Sequence, residues 1–160
     1  MNRAYDAIVV GARCAGSPTA MLLARNGYRV LLVDRATFPS DTVSTHMIHP
    51  PGVAALARWG LLERVVATGC PPVDTYEFDF GPFTISGRPA TPEAPIAYAP
   101  RRTVLDALLV EAAAEAGVEV REQFTVESLM FEHGRVVGVR GHEKGGPAVT
   151  ERASVVPIGP

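Results

Sequence analysis

Val9-Val10-Gly11-Ala12-Arg13-Cys14-Ala15-Gly16 decides the fold, because it joins a short apolar run to a longer one through a glycine-bearing turn. The run Ala7-Ile8-Val9-Val10 is nearly continuous, as a parallel strand covered on both faces requires. Gly11 permits a tight turn, and Gly16 removes a side chain where helix and strand must approach. From about residue 14 to 26, Ala15, Ala20, Met21, Leu22, Leu23 and Ala24 predict an apolar helix of about three turns. Pro18 suits its first turn, where an N–H has no intrahelical acceptor. Asn26-Gly27 predicts its end, with Gly27 in the left-handed position. Residues 28–33 then read as a second strand that delivers Asp34 at its carboxyl end. Amides of the helix start, aided by the dipole, attract an anion. An ionised Asp34 accepts ribose hydroxyl hydrogens and repels a 2′-phosphate. A dinucleotide is therefore the expected ligand.

Arg13 stands where this fingerprint usually carries its second glycine, the point at which backbone nears the pyrophosphate. Two readings follow. A guanidinium that turns aside leaves the backbone path intact and adds charge-assisted hydrogen bonds to a phosphate. A solvent-facing arginine leaves a fold that binds poorly. The order of strand, turn, helix, strand and acid favours the first.

The wider composition narrows the function classes. The 160 residues suffice for one substantial domain, and 47% hydrophobic content argues against wholesale disorder. Fifteen basic against seventeen acidic residues, a formal charge of -2, give nucleic-acid binding no electrostatic support. No run reaches the roughly 18 apolar residues of a spanning helix, and Asp6 and Arg13 interrupt the start where a signal peptide carries its apolar core. The expectation is a cytoplasmic chain without a membrane span. Cys14 and Cys70 make no disulfide framework, and Cys14 reads as a small residue in a crowded turn rather than an activated thiol. His46 and His49 have a spacing compatible with one helical face. The cysteines are remote and no acid lies between the histidines, so no metal site is expected.

Beyond Asp34, the polar stretch 37–46 is a long loop of the kind that approaches a ligand. Residues 52–59 predict a short helix packed through Val53, Leu56, Ala57 and Gly60, and residues 61–66 a second one. Between 70 and 100 the chain turns proline-rich and strand-like. Tyr76, Phe78 and Phe80 alternate with Glu77 and Asp79, which predicts a half-buried antiparallel strand with both carboxylates on its solvated face. Residues 83–85 and 96–98 are neighbouring candidates. A strong helix over 103–116, with Leu105, Leu108, Leu109 and Ala112 on one face, stops at Gly117. Residues 118–120 are the third parallel strand. Strands at 124–129 and 135–140 meet at a His133-Gly134 turn, where Glu132 and His133 are exposed rather than a proton-transfer pair. A last strand covers about 148–156, and Pro157 cannot donate to a central ladder. No Ser-His-acid set or lysine-bearing P-loop is present, and no catalytic residue is assigned.

These pieces, in order, resemble the amino-terminal part of an FAD-dependent oxidoreductase. The group is that of p-hydroxybenzoate hydroxylase-like monooxygenases, flavin halogenases and geranylgeranyl reductases. Five stretches carry the resemblance across essentially the whole chain: 10–20, 30–35, 38–46, Arg102-Thr103-Val104-Leu105-Asp106 with the helix exit at Gly117, and 134–139. It implies a Rossmann-like α/β FAD-binding domain with a parallel sheet and a strand-rich crossover. One incomplete domain over 1–160 is expected, in which 70–100 is an excursion from a partial substrate domain. In the group a Gly-Asp motif and a substrate sheet follow the third strand system. Here residues 157–160 stand in that place, so the chain reads as truncated before the substrate domain.

Carried over by position, the resemblance implies Gly11, Ala12 and Gly16 as the pyrophosphate cradle, with Arg13 beside it and Asp34 on the adenosine ribose. Arg35 falls beside the adenine, which the Val126 backbone brackets. Arg102 serves the FAD phosphate and ribityl region, and Thr45, within Ser44-Thr45-His46, lies on the flavin side. It further implies NAD(P)H as reductant, a small organic substrate, and oxygen insertion, halogenation or double-bond reduction. Two alternatives stand beside it: an NAD-dependent dehydrogenase fragment, and a non-catalytic nucleotide-binding or partner module that self-associates through an unfinished sheet.

Overall fold

The computed structural model describes residues 5–88 and 90–158. In chain order the elements are β1 (Tyr5–Val10), α1 (Gly16–Arg25), β2 (Val30–Val33), α2 (Pro50–Trp59), α3 (Leu62–Val66), β3 (Pro72–Val73), β4 (Tyr76–Asp79) and β5 (Thr84–Gly87). They continue with β6 (Ala97–Tyr98), α4 (Arg102–Glu115), β7 (Glu119–Arg121), β8 (Phe124–Glu132), β9 (Arg135–Glu143) and β10 (Val149–Val155). The chain divides into two compact units, one running through Ser40 and resuming at Asp106, the other Asp41–Leu105.

The first unit is built on a six-stranded sheet in the order β7-β2-β1-β10-β9-β8. β7, β2, β1 and β10 pair in parallel, while β10-β9-β8 is an antiparallel meander. This is the mixed α/β, Rossmann-like sheet that the opening stretch predicts. All of β2 is buried, and Ile8 and Val9 of β1 are buried with it. Full burial of each such side chain contributes about 1.5–3 kcal/mol, which is why apolar runs occupy the two central strands. One core cluster gathers Ile8, Leu31, Val33, Phe124 and Val139. At the far edge, His133 (φ 50°) and Gly134 (φ 76°) form the tight turn between β8 and β9. β10 ends at Val155, ahead of Pro157, as expected. Pairing with β1 resumes beyond it, because the Pro157 carbonyl accepts the Val10 amide at 2.9 Å and Ile158 bridges Val10 in parallel. A proline lacks only the donor; its acceptor still serves a ladder.

A polar network crosses the same sheet. The Tyr5 hydroxyl donates to Glu119 Oε2 at 2.7 Å, and Arg121 reaches Glu119 and Glu151, each at 2.6 Å. Burial, then the hydrogen bond to Glu119, pushes the Tyr5 hydroxyl up to about 12. For Glu119 burial acts upward, yet the Tyr5 and Arg121 hydrogen bonds outweigh it and hold the carboxyl below its ordinary value. Burial opposes the Arg121 charge as well, but its two carboxylate partners raise its pKa.

The second unit packs Val53 and Ala54 of α2 against Ala94, Ile48, Leu62 and Tyr98. Gly60, left-handed at φ 75°, ends α2. Its packing face is Val53, Ala54 and Leu56; Ala57 and Gly60, expected there, are exposed. Within residues 70–100, β3 pairs β6 and β4 pairs β5, both antiparallel. The expected half-burial of the β4 aromatics holds for Tyr76 alone. Phe78 and Phe80 are each more than half exposed, as are Phe83 and Ile85 across the hairpin. Alternation gives β4 an apolar face, but a two-stranded hairpin supplies no second layer to cover it.

Candidate functional site

β1 ends at Val10, and Gly11 follows in a left-handed conformation (φ 99°) that leads the chain out of the sheet. Its amide donates to the Val33 carbonyl at 2.8 Å, tying the turn to the end of β2. A Cβ on Gly16 would lie 1.7 Å from the Gly11 carbonyl oxygen, a backbone atom that cannot yield, so only glycine fits. Fully buried Ser17 closes the turn: its hydroxyl donates to the Ala12 carbonyl at 2.9 Å and its amide to the Arg13 carbonyl at 3.0 Å. Ala15, at the N-cap of α1, offers the first helical turn no side-chain acceptor. A turn this tight, with a bare helix start, suits a diphosphate.

Asp34 is aimed at this turn. Its Oδ2 accepts the Ala12 amide at 2.7 Å and its Oδ1 the Ala36 amide at 2.8 Å. Each carboxylate oxygen keeps a further lone pair for a hydroxyl donor.

Arg13 turns aside, onto protein. Its Nη1 pairs with Asp106 Oδ2 at 2.7 Å, its Nη2 donates to Ser40 Oγ at 2.9 Å, and its guanidinium lies over the Phe38 ring at 5.5 Å. The solvent-facing alternative does not hold, since its side chain is only 26% exposed. Cys14 differs from the crowded-turn reading: the residue is exposed, and its Sγ lies 3.3 Å from Asp106 Oδ1.

Arg35 is exposed and lines an open groove of about 540 Å³ with Thr37, Ser40, Gln123, His142 and Lys144. Val126, on β8, is half-buried against the sheet core and pairs with Gly141. Gly11, Ala12, Arg13, Gly16 and Asp34 thus meet around one turn. Thr45 and Arg102 belong to the other unit, Thr45 exposed in the loop before α2 and Arg102 half-buried at the start of α4. In that loop Ser44 Oγ accepts the His46 amide at 2.9 Å, and His46 adopts φ 54°.

The histidine pair does not share a helical face. His46 lies in the loop, whereas His49 caps α2 with extended backbone and its Nδ1 is 2.8 Å from the Tyr76 hydroxyl. α2 starts at Pro50, after both histidines. Three residues at the turn escaped assignment from sequence: Ser17, Ser40 and Asp106. Asp106 carried a legible signal, a carboxylate amid Leu105, Leu108 and Leu109 on an apolar helix face, which has to find a partner once buried.

Comparison with known proteins agrees with this geometry. A protein-family model described as FAD binding domain matches residues 4–155. Protein FixC of Salmonella typhi is 32% identical over 151 residues, covering 84% of this chain and 32% of its own length. Among solved structures, the myxobacterial chondrochloren halogenase CndH, described as a variant of FAD-dependent halogenases, superposes with a TM-score of 0.88. It is 28% identical, over 98% of this chain and 37% of that one. The p-nitrophenol 4-monooxygenase PnpA of Pseudomonas putida shares the fold, with a TM-score of 0.83 at 22% identity, over 99% of this chain and 41% of that one. The chain thus spans about a third of the length of the curated relative it matches.

Proposed function

The chain belongs to the FAD binding domain family, and from that premise we propose that its opening turn holds the FAD diphosphate within a larger flavin-dependent oxidoreductase. Gly11, Ala12 and Gly16 form the cradle, with Arg13 contributing its backbone amide. Asp34 accepts the adenosine ribose hydroxyls, and the adenine end lies toward the Arg35 groove and the Val126 backbone. The roles of Thr45 on the flavin side and Arg102 toward phosphate and ribityl rest on resemblance alone. The observation that carries this reading is the Gly16 contact, which leaves no room for a side chain, beside an Asp34 carboxylate already fixed on the turn.

When bound, FAD supplies the electron chemistry, and the protein's part is position and electrostatics. NAD(P)H is the proposed reductant and a small organic molecule the proposed substrate of the whole enzyme. Self-association through the edge strand β8 is proposed for the isolated chain, and light scattering that stays monomeric across a concentration series refutes it.

Titrating the chain with FAD, read by quenching of flavin fluorescence, tests the main reading. A saturable signal below about 100 μM supports it; none at that concentration, where binding is worth about 5.5 kcal/mol, rejects it. Asp34→Ala is expected to weaken FAD at least about tenfold, equivalent to about 1.4 kcal/mol, because it removes both the ribose acceptor and the Ala12 tether. Equal affinity in the two proteins removes Asp34 from the site.

A further inference from the structure

Asp106 is fully buried, yet no role in the resemblance requires it. Its two oxygens face consecutive residues of the phosphate turn: Oδ2 the Arg13 guanidinium at 2.7 Å, and Oδ1 the Cys14 thiol at 3.3 Å. Arg13 is held at two more points, by Ser40 Oγ at 2.9 Å and by the Phe38 ring. A planar guanidinium bound by a buried carboxylate, a hydroxyl and an aromatic face has one orientation, because its donors are fixed in a rigid fork. That orientation lies along α4 and the segment after β2. The turn therefore carries a long cationic side chain at the place of the second glycine without that side chain wandering across the helix start.

We propose that Asp106 is a positioning residue for the phosphate turn: it holds the Arg13 side chain off the diphosphate path and so replaces, through a tertiary contact, the second glycine that this turn lacks. The proposal rests on the FAD reading above and deepens it. Arginine at position 13 and aspartate at position 106 function as one unit.

A double-mutant cycle separates this role from simple packing. Asp106→Asn leaves the Arg13 fork without its anionic anchor, and FAD affinity is expected to fall at least tenfold. Arg13→Gly alone takes the guanidinium away from a buried carboxylate, and both affinity and melting temperature fall. In the double variant, Arg13→Gly with Asp106→Asn, no side chain needs holding, and affinity is expected within about threefold of the parent chain. A merely structural aspartate gives no such rescue. Ser40→Ala, a milder change that keeps the buried pair, is expected to weaken FAD about two- to threefold and covers the case in which Asp106→Asn does not fold.

Hydrogen exchange of the amides at 11–16, measured without FAD, gives a second readout. Exchange is expected to quicken in Asp106→Asn and to return in the double variant. Parental FAD affinity in Asp106→Asn, or a double variant as weak as Asp106→Asn, overturns the proposal. If the parent chain binds no FAD, the FAD reading fails by itself, and unchanged exchange across the variants then overturns the positioning role as well. Where Asp106→Asn does not fold, parental affinity and parental exchange in Ser40→Ala overturn it.

Discussion

Strand β2 and the β4–β5 hairpin are written in similar apolar residues and end in opposite environments. Val30, Leu31, Leu32 and Val33 are all buried, each within its own unit's sheet and core. Phe78, Phe80, Phe83 and Ile85 present an equally apolar face and stay more than half exposed, with Phe80 and Phe83 stacked on each other at 5.1 Å. The difference lies in neighbours. β2 has a strand on either side, β1 and β7, whereas β4 pairs with β5 alone among the described residues. Apolar alternation reports that a face wants cover; whether cover exists is a property of the surrounding fold.

Substitutions break this comparison in order of size. Gly16→Ala places a methyl on the Gly11 carbonyl and is expected to cost about 3 kcal/mol or more, the upper end for forced overpacking, with loss of FAD binding; urea unfolding measures it. An alanine tolerated at this position shows that the turn is looser than its contacts indicate. Leu31→Ala, in the fully buried centre, is expected to cost about 2–5 kcal/mol in the same measurement. Phe83→Ala on the hairpin is expected to cost less than about 0.5 kcal/mol, as exposed positions do. A Phe83 variant as damaging as the Leu31 one erases the contrast and reveals a covered hairpin.

Between those extremes lies a pH effect confined to the sheet unit. The folded Tyr5 hydroxyl titrates near 12, above its ordinary value of 10.0. Below pH 10 both states keep the proton and the stabilisation is complete. From pH 10 to 12 only the unfolded chain releases it, so stability falls as pH rises through that window. At the acid end the sign reverses: Glu119 titrates lower when folded, so its contribution is present above its unfolded value of 4.5 and lost as pH falls. Melting curves of the parent and of Tyr5→Phe are expected to converge between pH 10 and 12. Parallel curves across the window show that Tyr5 is not coupled to folding.

Much of the nucleotide unit was legible from residues alone, because its signals are local. Gly11 and Gly16 are demanded by backbone geometry within a few residues, Gly27 and Gly117 take the left-handed positions that stop their helices, and His133-Gly134 makes the turn it announces. The aim of Asp34 followed from its place at a strand end. Arg13 was legible only as a departure. Its partners, Ser40 and Asp106, lie 27 and 93 residues away, a distance that no pattern along the chain can bridge. The histidines misled for a related reason: their spacing suits a helix, and the helix starts after them at Pro50.

What the amino-acid order determined by itself is the succession of elements and the tight glycine turn after β1, since steric limits on glycine and the periodicity of apolar residues act between near neighbours. What the tertiary structure alone decided is where the charges of Arg13 and Arg121 rest, and which apolar faces find cover. Those outcomes depend on groups that meet only after the sheet and α4 have assembled, where burial makes an unpaired charge too costly to leave alone.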